Sequence, residues 1–254
     1  MIKLLISGCR GQMGRTISAM IAERTDMQVV AGVDALGGAP ADYPVYDSFD
    51  GIAEKADLVI DFSHISLTPA LLGFCTQQKI PLILCTTGIA GDLQASVVKA
   101  SEVIPIFKSG NMSLGVSLLQ ALVRQATRVL GDRYDIEIIE KHHNKKVDAP
   151  SGTALMIAQA AADALGYEPV YVYDRTKEHK RRDSKEIGIQ SVRGGNIVGE
   201  HEIMFIGADE TLTISHSAQS RALFASGAIK AVEYMIQKDK PGLYDMDDLV
   251  SSLA

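Results

Sequence analysis

The chain has 254 residues, 46% hydrophobic and 22% charged, with a formal net charge of −6. That is the composition of a soluble globular protein of one large or two modest domains. The acidic balance argues against a nucleic-acid partner, and no apolar run approaches membrane-spanning length. The cysteines Cys9, Cys75 and Cys85 are odd in number and lack metal-ligand spacing. They read as free thiols, and with no signal-peptide pattern at Met1–Gly8 the expected compartment is the cytoplasm.

The first element is an apolar strand over Lys3–Ser7, followed by Gly8-Cys9-Arg10-Gly11-Gln12-Met13-Gly14 and an amphipathic helix over Arg15–Arg24. A second strand over Gln28–Val33 ends at Asp34. Strand, glycine loop, helix, strand and acid is the pattern of a dinucleotide site. The glycines let backbone approach a pyrophosphate at the helix N-terminus, and the acid binds ribose hydroxyls. The spacing is G-x-x-G-x-x-G, with Arg10 at the usual middle glycine, so a turn serving only close helix–strand packing is the competing reading.

Strand-like runs recur at Leu58–Phe62, Pro81–Cys85 and Ile104–Phe107, with helices over Thr68–Gln78 and Leu93–Ser101. This alternation predicts a Rossmann-like, doubly wound parallel sheet with ligands at the strands' carboxyl ends. The polar clusters expected there are Phe62-Ser63-His64, Cys85-Thr86-Thr87-Gly88 and Ser109-Gly110-Asn111-Met112. Thr86 and Thr87 suit a nicotinamide or ribose, or simply turn and N-cap chemistry.

Beyond Asn111 the texture changes. A long helix over Gly115–Leu130 precedes a strand over Tyr134–Glu140 and an alanine-rich helix over Ala154–Leu165. Strands over Val170–Tyr173, Gly188–Val192, Ile197–Phe205 and Glu210–Ser217 then predict a second α+β domain with an open mixed or antiparallel sheet. The basic run Lys177–Lys185 reads as a solvated or subunit-contact loop. A final helix spans Ala222–Gln237, followed by a tail from Pro241.

Between these elements lies Glu140-Lys141-His142-His143-Asn144-Lys145-Lys146-Val147-Asp148-Ala149-Pro150-Ser151-Gly152-Thr153-Ala154. Proton donors sit just upstream of a helix start whose N–H groups attract anions. That suits a small carboxylate-bearing substrate that takes up a proton. Adjacent histidine side chains diverge on an extended chain, so one can donate a proton while the other contacts substrate. Lys146 offers a positive charge or a second proton donor. Ser151 or Thr153 can cap the helix while the N–H groups of Gly152 and Thr153 receive a carboxylate. No metal-ligand spacing is present, and no metal is expected.

These residues resemble the signature of the dihydrodipicolinate reductase family, enzymes of diaminopimelate and lysine biosynthesis that reduce 4-hydroxy-tetrahydrodipicolinate with a nicotinamide dinucleotide. The resemblance covers nearly the whole chain. It extends to Gly8–Arg15, Cys85–Gly88, Gly110–Ser113, Val192–His201, His216–Arg221 and Pro241–Met246. It implies His142 as proton donor aided by Lys146, His143 on substrate, and Gly152 with Thr153 on a substrate carboxylate. It implies a dinucleotide lined by Gly8, Cys9, Arg10, Gly11, Gln12, Met13, Asp34, Cys85, Thr86, Thr87, Ser109, Gly110, Asn111 and Met112. It implies hydride transfer to C4 of a dicarboxylate with loss of the 4-hydroxyl as water.

The resemblance also implies a dinucleotide-binding domain over 1–113 and 222–254, and a substrate-binding and tetramerisation domain over 114–221 in a homotetramer. Cys85 departs from a common glycine and Met112 from a common phenylalanine. Cys9 and Cys85 are expected close to bound dinucleotide, which would slow their alkylation. Asp34, followed by Ala35 rather than arginine, predicts NADH preferred over NADPH, with Arg10 able to rescue NADPH. The alternatives are another amino-acid or hydroxy-acid dehydrogenase, or a redox sensor that binds dinucleotide without turnover.

Overall fold

A computed structural model gives the fold and describes residues 1–35, 41–176 and 179–253. The chain divides into two compact units, Met1–Ser113 with Ala222–Ala254, and Leu114–Arg221. In chain order the first unit opens with β1 (Ile2–Ser7), α1 (Gln12–Ala22), β2 (Met27–Val33), β3 (Val45–Tyr46) and β4 (Leu58–Asp61). It continues with α2 (Thr68–Gln78), β5 (Leu82–Leu84), α3 (Gly91–Ser101) and β6 (Pro105–Lys108). The second unit holds α4 (Leu114–Leu130), β7 (Asp135–His142), α5 (Gly152–Ala162), β8 (Val170–Val172), β9 (Glu186–Arg193), β10 (Gly199–Ile206) and β11 (Thr211–Ala218). The chain then returns to the first unit as α6 (Ala222–Met235), β12 (Gly242–Tyr244) and α7 (Met246–Leu253).

The first unit is built on a seven-stranded parallel sheet in the order β12-β6-β5-β4-β1-β2-β3. Its central strands are apolar without alternation because both faces are covered: Leu4, Leu5 and Ile6 of β1 and Leu58, Val59 and Ile60 of β4 are all buried. From β1 the chain moves outward one way through β2 and β3, then restarts beside β1 at β4 and moves the other way. The reversal leaves a crevice beyond the carboxyl ends of β1 and β4, where such sheets take ligands.

The second unit's sheet, β11-β10-β7-β9-β8, is mixed. β10 runs antiparallel to β7 and β11, while β9 runs parallel to β7 and β8. One face packs under α4 and α5 through Leu119, Val123, Ile157, Ile136, Ile138, Ile203 and Phe205. On β7 and β10 burial alternates residue by residue, as a sheet with one covered face requires.

Three elements go beyond the sequence reading: the two-residue β3, and β12 and α7 within the tail. Two boundaries matter for function. α1 begins at Gln12, directly after Gly11, and β7 runs on to His142. In the basic run, Lys177 and Glu178 lie outside the described residues. Arg182 of that run is not merely solvated: it donates to Asp135 at 2.7 Å and to Glu137 at 3.1 Å, which ties the segment to β7.

Candidate active site

In the first unit, β1 delivers Ser7 to the sheet edge and the chain turns at Gly8 with φ +76°. A Cβ at Gly8 would stand 2.8 Å from the backbone carbonyl of Phe62, so only glycine fits both the left-handed backbone and the packed loop after β4. Gly14 in the first turn of α1 packs still more closely, an added Cβ falling against the Gly8 carbonyl oxygen and 2.6 Å from Cys9 Cα. Gly11 caps α1 with extended backbone and no side-chain cap, so the helix N-terminus faces outward as backbone.

Asp34, at the carboxyl end of β2, accepts the N–H of Arg10 at 2.9 Å. A cavity of about 1060 Å³ lies along this edge, lined among the described residues by Gly8, Cys9, Arg10, Gly11, Arg15 and Asp34 on one side and Phe62, Ser63 and His64 on the other. Its size, its glycine floor and its carboxylate fit the adenosine and phosphate portion of a nicotinamide dinucleotide.

The other residues expected around a dinucleotide sit elsewhere on the same sheet edge. Gln12 and Met13 lie in the first turn of α1 but do not line this cavity. The Thr86 hydroxyl is within reach of two acceptors, Asp61 at 2.5 Å and the Ser63 carbonyl at 2.9 Å, so it braces the loops after β4 and β5. Thr87 lies beside Gly110, where an added Cβ would be 3.7 Å from its methyl group. The loop after β6 closes on itself: Ser109 donates to the Asn111 carbonyl at 2.8 Å, and Asn111 Oδ1 accepts the Ser113 N–H at 3.0 Å. Met112 is buried beneath Gly227 of α6.

Cys9 lines the cavity and Cys85 does not. Burial, and behind it the charge of Asp34, raises the Cys9 thiol, and burial with the Asp61 charge raises that of Cys85. Both thiols are thereby held in the protonated form, the weaker nucleophile.

In the second unit the chemistry gathers at the end of β7. Glu140 continues the covered face of Ile136 and Ile138 and has no exposed surface. Its Oε2 accepts Nδ1–H of His142 at 2.6 Å, and its Oε1 accepts the N–H of Ser151 at 3.1 Å. Arg193, at the end of β9, donates to both oxygens, at 2.8 and 2.7 Å. Burial alone would raise the Glu140 carboxyl, but hydrogen bonds from Arg193, Ser191 and His142 bring it down to about 2.

Ser151 is the N-cap of α5, its Oγ accepting the Ala154 N–H at 3.1 Å and lying 3.0 Å from Nε2 of His201. The N–H groups of Gly152 and Thr153 therefore belong to the first turn of a helix anchored to Glu140. His201 stands edge-on to His142, with ring centroids 5.2 Å apart. Burial, then the His142 charge, lowers His201 to about 4. Burial likewise lowers His142, against the raising effect of Glu140.

The two adjacent histidines separate as an extended chain requires. His142 is 8% exposed and tied to Glu140, while Nδ1 of His143 is buried without a hydrogen-bond partner among the described residues. Lys146 pairs with Asp148 at 2.9 Å and reaches His142 only through its charge. Sequence reasoning singled out no role for Glu140, Arg193 or His201, although all three lie in segments that carry the family resemblance. No group of three or more metal-ligating side chains occurs among the described residues.

Comparison with known proteins agrees across the chain. The family described as "Dihydrodipicolinate reductase, N-terminus" matches residues 2–112, and its C-terminus counterpart matches 115–250. A 4-hydroxy-tetrahydrodipicolinate reductase of Caldanaerobacter subterraneus subsp. tengcongensis is 50% identical over 98% of both chains. One from Clostridium tetani is 42% identical over 99% of this chain and 98% of its own. Among solved structures, a dipicolinate-bound dihydrodipicolinate reductase from Paenisporosarcina sp. TG-14 shares the fold with a TM-score of 0.81 at 24% identity, over 96% of this chain and 97% of its own.

Proposed function

The chain belongs to the dihydrodipicolinate reductase family, and on that premise we propose how its residues divide the work. The activity is the NAD(P)H-dependent reduction of 4-hydroxy-tetrahydrodipicolinate to tetrahydrodipicolinate with loss of water, in diaminopimelate and lysine biosynthesis. The first unit takes the dinucleotide. Gly8, Cys9, Arg10, Gly11, Gln12 and Met13 offer backbone and a helix N-terminus to the pyrophosphate, and Asp34 takes the adenosine ribose. Cys85, Thr86, Thr87, Ser109, Gly110, Asn111 and Met112 shape the nicotinamide end. Bound NAD(P)H supplies the hydride.

The second unit takes the substrate dianion. The N–H groups of Gly152 and Thr153 at the start of α5 hold one carboxylate, and His143 and Lys146 add contacts to the substrate. The reduction consumes one proton besides the hydride, and His142 delivers it. Burial keeps the free imidazole largely neutral at neutral pH. Two carboxylates beside the ring raise its proton affinity, so proton uptake accompanies substrate binding. The observation that carries this reading is that Glu140 binds both Nδ1 of His142 and the N–H of the α5 N-cap, Ser151. A proton donor and an anion-binding helix start are thereby joined through one carboxylate.

NADH is the preferred dinucleotide in this reading, because Asp34 repels a 2′-phosphate and Ala35 offers it nothing. Arg10, on the same cavity, is the side chain that would support NADPH. Assembly as a homotetramer uses the uncovered face of the second unit's sheet, where Val192 is exposed and Ile139 and Met204 half-buried. Residence in the cytoplasm is supported by three free cysteines. The test follows oxidation of NADH and NADPH with substrate freshly made from pyruvate and aspartate semialdehyde by the upstream synthase. Higher kcat/KM with NADH is expected. Higher efficiency with NADPH would refute the preference.

A further inference from the structure

Glu140 occupies a position where the sheet asks for an apolar side chain. β7 alternates, and Ile136, Ile138, Glu140 and His142 share its covered face. A buried carboxylate is costly unless every oxygen is satisfied. Here both oxygens are, by the forked guanidinium of Arg193, by Nδ1–H of His142 and by the N–H of Ser151. Arg193 is itself fixed: it donates to the Asp148 carbonyl at 2.7 Å and the Val192 carbonyl at 2.8 Å. It reaches Glu140 because the parallel register of β7 and β9 sets Arg193 opposite His142 and Ser191 opposite Glu140.

The other ring nitrogen of His142 faces Gly199 of β10. A Cβ at Gly199 would stand 3.1 Å from Nε2, so the missing side chain leaves that nitrogen room. We propose that Glu140, gripped by Arg193, is a positioning residue that confines one His142 proton to Nδ1, so that the proton delivered to substrate is always the one on Nε2. The inference rests on the reading of His142 as proton donor. A carboxylate hydrogen-bonded to one imidazole nitrogen fixes tautomer and ring orientation, and favours the imidazolium over the neutral ring. An interstrand clamp with no part in proton delivery would need the same two residues, and the two roles differ in what they do to the ring.

The test is Glu140→Gln in the full chain, with Arg193→Lys as a second variant that keeps the charge and loses the fork. Nitrogen-15 histidine NMR of the protein without ligands reads the tautomer, and the pH profile of kcat reads the proton. The proposal expects wild-type His142 to carry its proton on Nδ1 when neutral. In Glu140→Gln, a population protonated on Nε2 should appear. kcat at about pH 7.5 should fall roughly 10- to 100-fold with KM and dinucleotide affinity within about threefold, and the alkaline limb of kcat should move to lower pH. Arg193→Lys should show a smaller change in the same direction, and it carries the test if Glu140→Gln does not fold. An unchanged tautomer with an unchanged pH profile would overturn the proposal in favour of a clamp. A changed tautomer together with full activity in His142→Gln would instead refute the proton-donor reading and leave the positioning intact.

Discussion

In the first unit the loop after β1 presents backbone, and in the second the end of β7 presents side chains. Gly8, Gly11 and Gly14 remove Cβ atoms that would press on neighbouring backbone, and the N-terminus of α1 is left as uncapped backbone. Glu140, His142, Arg193, Ser151 and His201 instead bury polar side chains in a network drawn from β7, β9, β10 and α5. The difference matches the tasks proposed for the two units. A pyrophosphate needs many N–H donors at close range, which backbone supplies without changing protonation state. A proton transfer needs one titratable group whose orientation and charge are set by neighbours, and that takes buried side chains.

The largest expected contrast is in response to acid. Burial depresses His201 to about 4, from 6.5 in the unfolded chain. Above about pH 6.5 both states are neutral at this residue. As pH falls toward about 4 the unfolded chain binds a proton that the folded one refuses, and stability drops by on the order of 3 kcal/mol from this residue. His142 and His216, also lowered chiefly by burial, act with the same sign. Urea midpoints at about pH 7.5 and about pH 5 should therefore differ more in wild type than in His201→Gln. An equal drop in both would break the assignment of acid sensitivity to this network.

A smaller effect is expected from Gly8→Ala. The left-handed backbone costs about 1–2 kcal/mol, and the added Cβ presses on Phe62, so dinucleotide affinity should fall about 30-fold by calorimetry. The KM for freshly made 4-hydroxy-tetrahydrodipicolinate, measured at saturating dinucleotide, should stay within about threefold of wild type. Loss of both together would show that the glycine loop and the β7 network are not separable in the way described.

The contrast also explains what could be read from sequence. Backbone function is written locally: a strand, glycines at fixed spacing and an acid at Asp34 are contiguous signals, and the parallel sheet follows from repeated strand and helix runs. The side-chain network is written across distance. Arg193 lies 53 residues from Glu140, and only the parallel pairing of β7 with β9 brings them together. Ser151 and His201 are 50 residues apart and meet through the antiparallel pairing of β10 with β7. His142 and His143 were legible as a pair because adjacent residues on a strand diverge, whereas the commitment of Lys146 to Asp148 depends on the turn that follows. β3 and β12, of two and three residues, are too short for any periodicity to announce them.

The central claim, that the dinucleotide is held by one set of residues and the proton by another, is tested most directly by His142→Gln. Dinucleotide affinity and kcat would be measured on the same preparation, with freshly made substrate. Unchanged affinity with kcat lower by about 10²–10⁴-fold is the predicted result. A variant that turns over at the wild-type rate, or that loses dinucleotide binding along with activity, would contradict it.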